Sequence, residues 1–144
     1  MRLLSRFSCL ILALWLALSL QTTPARATPA EEAEAVAAVK AWLQIVDAGH
    51  YEEAWQSCAG PFKVAVPKAT FVHQLKDVRE MLGGVVSRKL SSQKPATSVP
   101  TGPPGKYVIV EMKTDFSKKA GLTERVTPML DHDGKWRVSG YFFV

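Results

Sequence analysis

Apolar residues along this chain recur first with a helical period and later with a period of two. From Pro29 to Ala48, Val36, Val39, Leu43 and Val46 return every three or four positions, which predicts an amphipathic helix. Trp42 and Ile45 widen its stripe. Pro29 suits the first turn, Glu31, Glu32 and Glu34 suit the positive end of the helix dipole, and Gly49 is a natural stop. Tyr51–Cys58 predicts a short second helix, with Tyr51, Ala54, Trp55 and Cys58 turned inward and Gly60-Pro61 ending it. A third helix is predicted from Pro67 to about Leu82, with Phe71, Leu75, Val78 and Leu82 as its buried stripe and Gly83-Gly84 as its break.

After Gly84 four strands are predicted, at Val85–Ser92, Lys106–Phe116, Leu122–Leu130 and Lys135–Val144. The second alternates cleanly: Val108, Val110, Met112, Thr114 and Phe116 share one face, with Tyr107, Glu111, Lys113 and Asp115 on the other. The last places Trp136, Val138, Gly140 and Phe142 together. Ser117–Gly121 and Asp131-His132-Asp133-Gly134 are hairpin-length, so the last three strands should form an antiparallel meander. The stretch holding Pro95, Pro100, Gly102, Pro103, Pro104 and Gly105 reads as a loop. Helices followed by strands make an α+β domain, in which the helices must cover one face of the sheet.

The first 27 residues follow a different logic. Arg2 and Arg6 precede an apolar run of 14 residues, Phe7–Leu20, and Ala25-Arg26-Ala27 closes the segment. That is the pattern of a secretory signal peptide, with cleavage expected between Ala27 and Thr28. The run is shorter than the ~20 residues that span a bilayer. The expected organisation is therefore a removed leader over Met1–Ala27 and one domain over Thr28–Val144, periplasmic or secreted, with no membrane attachment after cleavage.

Cleavage changes the charge and cysteine arithmetic. The whole chain carries 18 basic and 13 acidic residues. The leader takes three basic residues and no acidic one, so the mature net charge falls to +2. With Lys and Arg scattered among acids, nothing points to nucleic acid. Cys9 leaves with the leader and Cys58 remains alone, so no intramolecular disulfide can form.

Two segments carry a resemblance. Ala41–Trp55 (AWLQIVDAGHYEEAW) resembles the first-helix and turn segment of the nuclear-transport-factor-2-like superfamily, and Gly134–Phe142 (GKWRVSGYF) resembles its last strand. Val78–Leu90 (VREMLGGVVSRKL) and the Pro103-Pro104-Gly105 loop are similar to an exported bacterial family, domain of unknown function 4019. The resemblance implies a curved four-stranded antiparallel sheet wrapped on helices as a cone with an apolar pocket. It implies no activity, because the superfamily holds isomerases, dehydratases, carriers and interaction modules alike.

Glu124 is the most informative anomaly. Alternation puts it on the face of Leu122, Val126, Pro128 and Leu130, where an apolar residue is expected. Arg88, between Val86 and Leu90, is its counterpart. A buried charge needs a partner, so Arg88 and Glu124 are expected to meet on the helix-facing side. They would be a structural ion pair or, alternatively, a polar anchor for a ligand, with Arg88 meeting an anionic or carbonyl group. An edge-strand register that leaves both in solvent is the third possibility. Trp42, Trp136 and Tyr141 complete the candidate pocket.

The remaining chemistry is sparse. His50, His73 and His132 have no second ligand at metal-binding spacing, and Asp131–Gly134 lacks the later Glu of a calcium loop. Asp47 is a candidate general base, but its place at the end of the first helix fits a turn or cap. Cys58 reads as an inert buried thiol. No catalytic set, metal site or cofactor motif assembles. The expectation is a non-catalytic domain that binds a small apolar or anionic ligand or a protein, with homodimerisation through the Tyr107 and Ile109 sheet face a further option. The alternative is a small isomerase or dehydratase with a pocket carboxylate.

Overall fold

The computed structural model describes residues 25–144; the expected leader run, Phe7–Leu20, lies outside the described residues. Four helices precede four strands: α1 (Pro29–Asp47), α2 (Tyr51–Gln56), α3 (Gly60–Ala65), α4 (Lys68–Leu82), β1 (Val85–Ala96), β2 (Tyr107–Phe116), β3 (Lys119–Leu130) and β4 (Trp136–Phe143). The strands form one antiparallel sheet in the order β1-β2-β3-β4. This is the α+β arrangement expected from the sequence.

Helix α1 starts where the chemistry requires. The Glu31 amide donates to Thr28 Oγ1 at 3.3 Å and the Thr28 amide donates to Glu31 Oε2 at 2.8 Å, a reciprocal capping box. Ala35, Val36, Val39, Trp42, Leu43 and Val46 are its buried stripe. They lie across all four strands and against Val108, Val110, Met112, Val126 and Val138. Trp42 Nε1 donates to the Ala54 carbonyl at 2.9 Å, tying α1 to α2.

The chain departs from the sequence expectation at several places, β3 among them, which begins at Lys119 and not at Leu122. Gly60-Pro61 does not end a helix but opens α3, because proline is compatible with a first helical turn. The Gly60 amide donates to Asp131 Oδ2 at 3.0 Å, so the β3–β4 turn holds this start. Strand β1 runs four residues further, to Ala96; Pro95 is tolerated there because β1 is an edge strand.

Strand β4 changes face part-way. Thr127 pairs with Gly140 but Pro128 pairs with Val138, leaving Ser139 as an extra residue. Pro128 has no amide to give to the ladder, and Ser139 Oγ donates to the Thr127 carbonyl at 2.8 Å across the bulge. Trp136 and Val138 point into the core before the bulge, and Tyr141 after it. Phe142, expected inside with them, is 59% exposed. Tyr107, expected on the outward face with Ile109, is fully buried. The β1–β2 loop folds over it, packing Val99 beside Met129 and Ala59, and Tyr107 Oη donates to the Pro103 carbonyl at 2.5 Å.

Candidate functional site

The helix-facing side of the sheet carries an ionic network. Arg88 on β1 pairs with Thr114 across β2, and Met112 on β2 pairs with Glu124 on β3, so strand register brings Arg88 and Glu124 together. Arg88 Nε donates to Glu124 Oε2 at 2.6 Å and Nη2 donates to Oε1 at 3.2 Å. The same guanidinium reaches Asp47 at the end of α1, with Nη1 to Oδ2 at 2.6 Å and Nη2 to Oδ1 at 3.1 Å. Arg79 on α4 donates from Nη2 to Asp47 Oδ1 at 2.6 Å. Its guanidinium carbon lies 4.9 Å from the centre of the Phe116 ring, within cation–π reach.

Glu124 is fully buried and fully engaged. Besides the two bonds from Arg88, Thr114 Oγ1 donates to Oε2 at 2.5 Å and Tyr141 Oη donates to Oε1 at 2.5 Å. A carboxylate offers about four acceptor positions, and all are filled. Two guanidiniums against two carboxylates make the cluster neutral. Burial opposes the charge on Arg88, but its bonds to Asp47 and Glu124 outweigh that, and its pKa is raised. Burial, then the Glu124 charge, also raises the Tyr141 phenol. The arrangement clamps α1, α4, β1, β2, β3 and β4 together; Arg79 Nη1, buried and 3.8 Å from Glu124 Oε1, is left without a hydrogen-bond acceptor among the described residues.

A cavity of about 570 Å³ lies beside β4. Its walls are Phe62 and Val66 from α3 and its end, Phe71, Leu75 and Val78 from α4, and Tyr141, Phe142 and Phe143 from β4. The β1–β2 loop closes the far side with Val99 and Pro103, over Tyr107 and Met129. Gly102 belongs to this wall, and only glycine fits there: a Cβ would stand 2.6 Å from Val99 Cγ2 and 2.7 Å from Tyr107 Oη. A smaller hollow of about 250 Å³ is bounded by Lys40, Gln44, Arg88 and Leu90, among others.

A family model described as a protein of unknown function (DUF4019) matches residues 38–141. The chain belongs to the DUF4019 family. No curated protein and no solved structure matches it. The span shared with DUF4019 takes in Asp47, Arg79, Arg88, Glu124 and Tyr141, and all the cavity walls except Phe142 and Phe143.

The five pocket candidates of this DUF4019 protein separate. Arg88, Glu124 and Tyr141 meet in the network. Trp42 packs edge-on against Tyr141, with ring centres 5.2 Å apart. Trp136 is buried, and its Nε1 has no hydrogen-bond partner. Tyr141 borders the larger cavity and Arg88 the smaller; Glu124, Trp42 and Trp136 border neither.

Two network members escaped sequence reading. Arg79 stands four residues after Leu75, on the apolar stripe of α4, and is buried; it is the same anomaly that singled out Glu124, and it was legible. Asp47 reads from the sequence as a general base or a turn residue, because nothing local tells that two arginines from distant elements converge on it.

The other candidates are ordinary. His50 and His73 are exposed beside Glu53 and Asp77. Arg137 occupies the Asp131 and Asp133 carboxylates in the β3–β4 turn, with Nη1 2.6 Å from Asp133 Oδ1. Cys58 is buried and its Sγ donates to the Ala54 carbonyl at 3.2 Å. Among the described residues, no cluster of His, Cys, Asp and Glu gathers as metal ligands, and no helix is long and apolar enough to cross a membrane.

Proposed function

We propose that this DUF4019 protein is an exported, non-catalytic binding domain on a nuclear-transport-factor-2-like scaffold, and that its cavity beside β4 takes a small apolar ligand. The observation that carries this reading is the cavity itself. Its 570 Å³ falls within the ~300–1,000 Å³ usual for ligand sites, and its walls are mostly aromatic and aliphatic. The cavity is partly open to solvent, so a ligand that covers its apolar walls gains both dispersion and burial.

The isomerase or dehydratase alternative asks for a carboxylate that faces the substrate. Asp47 and Glu124 face guanidiniums instead, and neither borders the cavity. Export rests on the leader pattern of Met1–Ala27.

The test is titration of the folded domain with the uncharged dye N-phenyl-1-naphthylamine, read by fluorescence, in the native protein and in Ala65→Trp. Ala65 is an exposed cavity-wall residue on α3, so the indole fills space without entering the core. Saturable one-to-one binding that Ala65→Trp weakens at least ~10-fold supports the reading. Absence of binding, or binding indifferent to Ala65→Trp, overturns it.

A further inference from the structure

The polar groups around the cavity are distributed unevenly, and that distribution restricts the chemistry of a ligand. Among the 18 residues that line it there is no Asp, Glu, Lys, Arg or His. The ions of the buried network, Arg79, Arg88, Asp47 and Glu124, neutralise one another. A charged group carried into such a space would lose its hydration and meet no counter-ion.

The hydroxyls in the wall are already committed as donors. Tyr141 Oη donates to Glu124, Tyr107 Oη to the Pro103 carbonyl, and Ser139 Oγ to the Thr127 carbonyl. Two further polar side chains line the space, Gln74 on α4 and Thr101 in the β1–β2 loop. Both are exposed, which places them at the rim, and among the described residues neither side chain is engaged in a hydrogen bond. The amide of Gln74 both donates and accepts, as does the Thr101 hydroxyl, so each matches a neutral group that does the same.

We infer that the cavity selects an uncharged amphiphile, an apolar body with one neutral hydrogen-bonding end such as an alcohol or amide, held with that end at the rim by Gln74 or Thr101. This rests on the cavity being a ligand site. It is narrower than that reading, because it excludes the fatty-acid anion and the cationic amphiphile that a purely apolar slot would also admit.

The experiment is displacement of bound N-phenyl-1-naphthylamine at pH 8 by three chains of equal length: decan-1-ol, decanoate and decyltrimethylammonium. The alcohol should compete at least ~10-fold more strongly than either ion. The double variant Gln74→Leu with Thr101→Val should weaken decan-1-ol about 5-fold, the worth of roughly one hydrogen bond, the displacement being read against the dye affinity measured for that same variant. Both positions are exposed, and circular dichroism verifies that the fold is kept.

If either ion matches or exceeds the alcohol, the inference is overturned while the cavity remains a binding site. The same holds if the double variant binds decan-1-ol as the native chain does. If neither dye nor any of the three chains binds, by fluorescence or by native mass spectrometry, the site reading falls and this inference falls with it.

Discussion

Replacing Glu124 by glutamine removes one charge from the ionic network and almost nothing from its volume. In the native chain that carboxylate accepts from Arg88 Nε and Nη2, from Thr114 and from Tyr141. The amide keeps one acceptor oxygen and turns an NH₂ toward groups that are themselves donors. It also leaves two guanidiniums sharing Asp47 alone, Arg79 being 6% exposed at its side chain. Breaking a buried pair from one side costs about 3–5 kcal/mol. Against a total stability of about 5–15 kcal/mol, that is a large share. For a domain of this size it corresponds to a fall in Tm of roughly 10–20 °C.

Urea unfolding followed by circular dichroism measures the change, with a shared slope verifying that the compactness of both states is kept. Tyr141→Phe is the milder companion: it removes one of the four bonds to Glu124 and should cost about 1–2 kcal/mol. In a cycle with Arg88→Met, the two losses should couple by more than ~1 kcal/mol. Glu124→Gln within ~1 kcal/mol of the native chain would refute the reasoning. So would additivity with Arg88→Met.

Burial pushes the Cys58 thiol up to about 12 from its ordinary 9.0. Between these values the native state keeps the proton and the unfolded chain releases it, so stability is full below pH 9 and falls above it, by up to ~1.4 kcal/mol per pH unit. Urea midpoints at pH 7, 9 and 10.5 should decline more steeply for the native chain than for Cys58→Ala; equal slopes would remove Cys58 as the cause. Gly83→Ala should cost about 1–3 kcal/mol by thermal melt, because Gly83 has φ +78° and a Cβ there would stand 2.1 Å from Ser117 Oγ. Pairing it with Ser117→Ala should recover the clash but not the backbone strain. For export, the protein from a native host should begin at Thr28 and fractionate outside the cytoplasm; an intact N-terminus retained in the cytosol would count against the leader reading.

Most of the elements and their order are legible in the local pattern; α3 is not, because Gly60-Pro61 reads equally as a stop and as a first helical turn. Helical and two-residue periods follow from backbone geometry within a segment, so α1, α4 and the alternation of β2 could be read directly. The same logic made Glu124 conspicuous, since one charged residue on an apolar face must find a partner, and it applied equally to Arg79. Tertiary structure alone decided who the partners are. Asp47, Arg79, Arg88 and Glu124 converge only when strand register and the crossing of α1 and α4 are fixed. Likewise, one bulged residue at Ser139 reverses the facing of everything after it, turning Tyr141 in and Phe142 out, and a loop folded across the sheet buries Tyr107. Periodicity records which side of its own element a residue occupies. What lies opposite that side is set by contacts between segments far apart in the chain, and on those the local pattern carries no information.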